Sequence, residues 1–233
     1  MDDEEERTRP ESPFNAVPLL VILLTLLIVG VEVVLQLANA GVIGGPRGVG
    51  WRLAAVEEYG FSAAVLERVL VNDDYSFDML KRFVTYPFIN GQLIQVAFCA
   101  GLTLALGKFT SEQFGQFKML LLYLLCSIAG AVAFGLLVEG RTPLYGGFAP
   151  VFGLIGAYTY ALWLSLGEAG ENRIMAFRLI GFLLTIRLVL GLLLGSDRLW
   201  VAEIMGFVAG FFLAVVFIPG GWGRLLAKLR QRS

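Results

Sequence analysis

Apolar runs long enough to cross a hydrocarbon layer of ~30 Å as helices recur along the chain. They occupy residues 17–37, 83–106, 117–138, 150–166, 177–194 and 200–217. A helix satisfies its own backbone hydrogen bonds in lipid, so the pattern predicts an all-α polytopic membrane protein with six transmembrane helices. The fourth run is the shortest and opens at Pro150, which the first turn of a helix tolerates because its missing N–H would have had no intrahelical partner. Such a helix is able to begin below the membrane surface.

Between the first two runs lies a polar interruption, residues 39–82, with Gly44, Gly45, Pro46, Arg47, Arg52, Glu57, Glu58, Asp73 and Asp74. Inside it, Trp51, Leu53, Ala54, Val56, Val65, Leu66, Val69 and Leu70 fall at helical spacing, which predicts short helices lying at the membrane interface. The acidic residues Asp2 to Glu6 precede the first run. They do not form the positive region of a signal peptide, so the first run is expected to remain as an anchor.

Charge placement gives an orientation. Lys and Arg near span ends concentrate on the cytoplasmic side. The C-terminal segment has Arg224, Lys228, Arg230 and Arg232, and the second and fourth loops have Lys108, Lys118, Arg173 and Arg178; the third and fifth carry only Arg141 and Arg198. Both termini are therefore expected in the cytoplasm and the long first loop outside. The chain divides into an acidic tail, residues 1–16, one membrane domain, residues 17–218, and a basic tail, residues 219–233. Within that tail, residues 222–232 are amphipathic enough to lie on an anionic leaflet, although a solvated segment fits as well.

Hydrophobic residues make up 57% of the chain and charged residues 16%, with a mean hydropathy of +0.75. A soluble domain of that composition would expose far too much apolar surface. The net charge of −1 by itself says little about partners, and nothing in the chain suggests nucleic acid. Cys99 and Cys126 lie within apolar runs, where small buried side chains are the simplest reading. The chain has no histidine. This removes the commonest general base and the commonest metal ligand, and neither a metal site nor a cofactor is expected. Apart from Lys118 and Arg178 at run ends, the charges inside the runs are Glu32, Arg187 and Glu203. Three roles are open to them: a structural ion pair such as Arg187 with Glu203, contact with a partner, or a proton or solute path.

Small residues at every fourth position recur as Gly153, Ala157 and Ala161, with Gly156 beside them, and as Ala202, Gly206, Gly210 and Ala214. Alone they are a generic signal for close helix packing. Their setting is more specific. The stretch Gly146-Gly147-Phe148-Ala149-Pro150-Val151-Phe152-Gly153-Leu154-Ile155-Gly156-Ala157 resembles the rhomboid segment in which a G-x-S-G turn enters a helix. Ala202-Glu203-Ile204-Met205-Gly206-Phe207-Val208-Ala209-Gly210 resembles the rhomboid segment A-H-x-x-G-x-x-A-G, and Arg82 to Gly91 resembles the start of the family's second span. The resemblance implies a rhomboid-like bundle of six helices around a water-accessible cavity, with the fourth helix central.

The same resemblance implies what is missing. The family's nucleophilic serine falls on Phe148 and its histidine base on Glu203. Its three polar positions of the second span, histidine, histidine and asparagine, fall on Asn90, Gln95 and Cys99. A carboxylate has nothing to activate where no hydroxyl stands, and oxyanion donors act only on a transition state that some nucleophile creates. The expectation is a pseudoprotease that binds transmembrane segments of client proteins, lipid or a membrane complex. The alternatives are a working intramembrane serine endopeptidase, which the family name alone would imply, and a structural subunit of a larger complex. A bacterial cytoplasmic membrane fits the size and the six-span plan.

Overall fold

The computed structural model of the chain describes residues 17–140, 142–178, 180–183, 185 and 198–217. Among these, five helices are long and apolar enough to cross a membrane. They are α1 (Leu19–Asn39), α5 (Leu93–Phe114), α6 (Gln116–Leu137), α7 (Phe148–Glu168) and α8 (Trp200–Phe217). Most of the remaining run, residues 177–194 with Arg187, lies outside the described residues, as do both tails. Among the described residues the architecture is all-helical apart from one isolated antiparallel bridge between Phe61 and Leu144.

The second span differs from the sequence expectation. It starts at Leu93 instead of residue 83 and continues to Phe114. Residues 83–88 finish the short helix α4 (Phe77–Thr85) and a 3-10 turn, Tyr86–Phe88, built around Pro87; Ile89 then turns extended. Proline disfavours a helical conformation in the residue before it and lacks an N–H, so an uninterrupted helix through position 87 is costly. Hydropathy missed the break because Phe83 and Tyr86 are buried against protein, an environment as apolar as lipid. At the far end, Gly115 (φ +92°) is the single residue between α5 and α6. That left-handed backbone is available to glycine without a Cβ clash, which permits so tight a reversal.

The first loop is consequently longer than residues 39–82, reaching Gln92, and it is folded. A 3-10 turn, Gly45–Gly50, leads into α2 (Trp51–Tyr59), then α3 (Ala63–Val71) and α4. Phe61, Leu66, Phe83, Tyr86, Phe134 and Leu144 form a second apolar core beneath it, in which the Phe61 and Phe83 rings meet edge to face at 4.7 Å. Arg82 ties α4 to α2. Its Nη1 donates to the Glu57 carbonyl at 2.7 Å and to the Gly60 carbonyl at 3.3 Å, satisfying acceptors that a helix end leaves open. Lys81 pairs with Asp78 at 2.8 Å and Glu58 at 3.2 Å and lies over the Tyr59 ring at 4.8 Å.

Helix α7 is the central element. Over its most apolar window 56% of the residues are buried, against 28% for the peripheral α1. The glycines explain how closely its neighbours come. A Cβ at Gly206 would overlap the Ala149 carbonyl oxygen, one at Gly210 the Gly153 carbonyl, and one at Gly156 the Phe207 carbonyl. Gly153 turns to α6, where a Cβ would collide with Cys126 Sγ, and Ala157 is fully buried. Helices α7 and α8 thus touch backbone to backbone, the geometry that small residues at every fourth position allow.

Candidate functional site

The site is built at the N-terminus of α7. The segment leading to it is stitched to the first loop by backbone pairing: Phe61 N–H donates to the Leu144 carbonyl at 3.0 Å, and Leu144 N–H to that of Phe61 at 2.6 Å. Gly146 N–H then donates to the Tyr86 carbonyl at 3.1 Å and Gly147 N–H to Asn90 Oδ1 at 3.3 Å. Gly146 has φ +102°, and a Cβ there would run into Gln95 Nε2. Both the backbone conformation and the lack of space therefore call for glycine.

Phe148 follows as the first residue of α7, two positions earlier than the expected start at Pro150. The proline is still accommodated, since its position in the first turn needs no intrahelical N–H bond. Phe148 is half-buried and lines a cavity with Gln95, Tyr145, Ala149, Leu199 and Glu203. The cavity leaves about 10 Å³ for the centres of water molecules. That is room for about one water, far below the several hundred Å³ of a small-molecule pocket. Glu203 stands in the first turn of α8 and is 4% exposed.

The structure brings Phe148, Glu203 and Gln95 to one cavity and places Asn90 and Cys99 just behind it. Gln95 Oε1 accepts from Gly91 N–H at 3.1 Å. Asn90 is fully buried, and its Nδ2 has no hydrogen-bond partner among the described residues. Cys99 is fully buried under the turn, where a Cβ on Gly147 would sit 3.2 Å from its Sγ. The pairing of Arg187 with Glu203 lies outside the described residues. Tyr145 supplies the sole hydroxyl among the lining side chains, and with no histidine in the chain no imidazole stands near it.

The sequence reading missed Arg52. Its guanidinium grips the buried Glu32 of α1 with both terminal nitrogens, at 2.7 and 3.0 Å, and Nη1 also donates to the Asn90 carbonyl. No spacing rule pairs residues 20 apart in different helices, so no sequence signal was available. Tyr86 was likewise visible only as an aromatic. Its hydroxyl donates to the Ser127 carbonyl at 3.0 Å, and burial pushes the phenol well above its ordinary pKa, keeping it a neutral donor.

The family model of the Rhomboid domain matches residues 78–220, more than half of the chain and the whole stretch from α4 to α8. The chain belongs to the rhomboid family. This rhomboid is also similar to the Inactive RHOMBOID-like protein 8 of Arabidopsis thaliana, with 29% identity over 128 residues. The match covers 55% of the chain but 35% of that relative, so the similarity reaches about a third of the plant protein's length.

Proposed function

We propose that this rhomboid is catalytically inactive and acts by binding, with transmembrane segments of client proteins or a membrane complex as its partners. The observation that carries the reading is Phe148 at the head of α7. There the family's nucleophile is replaced by a phenyl ring, in a cavity with space for about one water molecule. Acyl transfer requires a nucleophile and a base within hydrogen-bond reach of each other. Phe148 has no nucleophilic atom, and Glu203 takes the position of the histidine. The name of the Arabidopsis relative supports the same conclusion.

Asn90, Gln95 and Cys99 are then remnants of the polar second-span positions, put to structural use around the turn. Retention of the bundle without the chemistry favours a binding role, because the close α7–α8 contact is a property of the scaffold and independent of catalysis. We further propose that both termini face the cytoplasm, as the Lys and Arg distribution supports, and that the host membrane is a bacterial cytoplasmic membrane.

The test is photocrosslinking from a photoreactive residue placed at Tyr145, beside Phe148, in native membranes. Crosslinks to single-span or polytopic proteins support client binding. A constant stoichiometric partner in mild detergent would point instead to a structural subunit. Stoichiometric labelling of the folded protein at any residue by a serine-hydrolase-directed covalent probe would refute inactivity.

A further inference from the structure

Glu32 is a carboxylate in the middle of a spanning helix, 2% exposed. It accepts three hydrogen bonds from two side chains. Oε1 accepts from Gln36 Nε2 at 2.7 Å and from Arg52 Nη2 at 2.7 Å, and Oε2 accepts from Arg52 Nη1 at 3.0 Å. The Arg52 side chain is itself only 25% exposed. The same guanidinium donates to the Asn90 carbonyl, and the Asn90 side chain accepts from Gly147 N–H, the residue before Phe148. One hydrogen-bonded chain thus runs from α1, through the loop helix α2 and the extended segment at Asn90, to the head of α7.

A buried ion pair is weak as a stabilising device, because desolvation of both charges offsets most of their attraction. What it supplies is geometry: a planar fork on a carboxylate admits one arrangement of the two elements. Helix α2 buries none of its residues deeply. Its hold on the bundle therefore depends on few contacts, and the guanidinium is the one that reaches the site.

We propose that Arg52, seated on Glu32, is a latch that holds the first loop against the bundle and keeps the cavity at Phe148 shut. Its release loosens the Trp51 end of α2, whose other end stays tied to α4 by Arg82 and Lys81, together with the Asn90 segment, weakens the acceptor for Gly147 N–H, and lets water reach the underside of the turn. This holds whether or not a client binds, and so it is independent of the proposed binding role.

Cys99, fully buried beneath Gly147, is a native reporter of that opening. In a Cys126→Ala background, the alkylation rate of Cys99 by a small water-soluble maleimide is to be measured in detergent for the otherwise wild-type protein, Glu32→Gln, Arg52→Gln and the double variant. The latch predicts labelling faster by about tenfold in each, with the double variant no faster than the singles, because both remove one event. Arg52→Lys keeps a cation beside Glu32 and protects the fold, but lacks the second arm for the Asn90 carbonyl; it too should label faster. Wild-type rates in folded variants would overturn the proposal. Loss of the folded protein in all of them, Arg52→Lys included, would also overturn it by making the pair a folding requirement.

Discussion

Inserting a single methyl group at Gly210 is the sharpest probe of this bundle. The Cβ of an alanine there would lie 2.6 Å from Gly153 Cα and 2.6 Å from its carbonyl carbon, and closer still to the carbonyl oxygen. Ordinary contact begins at 3.4 Å. The obstacle is backbone on both sides, so no rotamer relieves it, and the carbonyl oxygen, as the nearest atom, forces α8 to withdraw from α7 by more than ~1 Å. A gap of ~0.5–1 Å forfeits about a quarter to a half of the dispersion attraction across an interface. Overpacking of a close-packed site costs about 1–3 kcal/mol on its own. Together these predict a loss of about 1–3 kcal/mol, toward the upper end, for Gly210→Ala. Gly101→Ala in α5 and Gly30→Ala in α1 are the controls, since a Cβ at either meets nothing within 4 Å. Helix propensity alone makes these controls neutral or stabilising by up to ~1 kcal/mol. The assay is unfolding in mixed micelles with increasing sodium dodecyl sulfate, followed by circular dichroism. If Gly210→Ala lay within ~0.5 kcal/mol of Gly101→Ala, the backbone-to-backbone contact of α7 and α8 would be refuted.

Gly146→Ala should lose about 1–3 kcal/mol by the same unfolding assay, because φ +102° disfavours any Cβ and Gln95 must also be displaced. Restoring both dyad positions with Phe148→Ser and Glu203→His should yield no measurable cleavage of a generic transmembrane substrate, since catalytic groups act as a unit and Gln95 and Cys99 do not restore the family's donors; robust cleavage would show that the remaining site is competent. Glu203→Gln should be mild and Glu203→Leu worse by about 1–3 kcal/mol, as the amide keeps hydrogen-bonding capacity in a buried position and leucine does not; equal stability of the two would place the carboxyl outside any structural role. The Lys81 ammonium, through its hydrogen bond and charge, holds the Asp78 carboxyl below its ordinary value of 3.8. The contribution of this exposed pair is therefore present above pH 3.8 and is lost as pH falls through the folded-state value. Asp78→Asn should abolish that acid-limb change in hydrogen exchange of α4, and an unchanged profile would show that the pair contributes nothing.

Most of the span pattern and the close helix contact were readable along the chain. Lipid demands unbroken apolar helices, so four of the expected runs coincide with α1, α6, α7 and α8 to within a few residues. Phe148 and Glu203 could be singled out because the residues around them keep a recognisable spacing, and the structure places both on one cavity. The small-residue ladder from Ala202 to Ala214 was informative because close approach of two helices limits side-chain size whatever the neighbour is.

Tertiary structure decided the rest. Hydropathy measures transfer out of water and does not distinguish lipid from a protein core. The run at residues 83–89 was therefore assigned to a span, although it belongs to the folded first loop. Glu32 was visible as a buried charge, but its partner Arg52 comes from another helix, and only the fold of the loop brings the two within 2.7 Å. The convergence of Asn90, Gln95 and Cys99 behind the Gly146–Gly147 turn has the same origin. Local propensity and periodicity act over a few residues, whereas the Asn90–Gly147 contact joins residues 57 positions apart, and only the packing of α5 against α7 determines which polar atoms face each other.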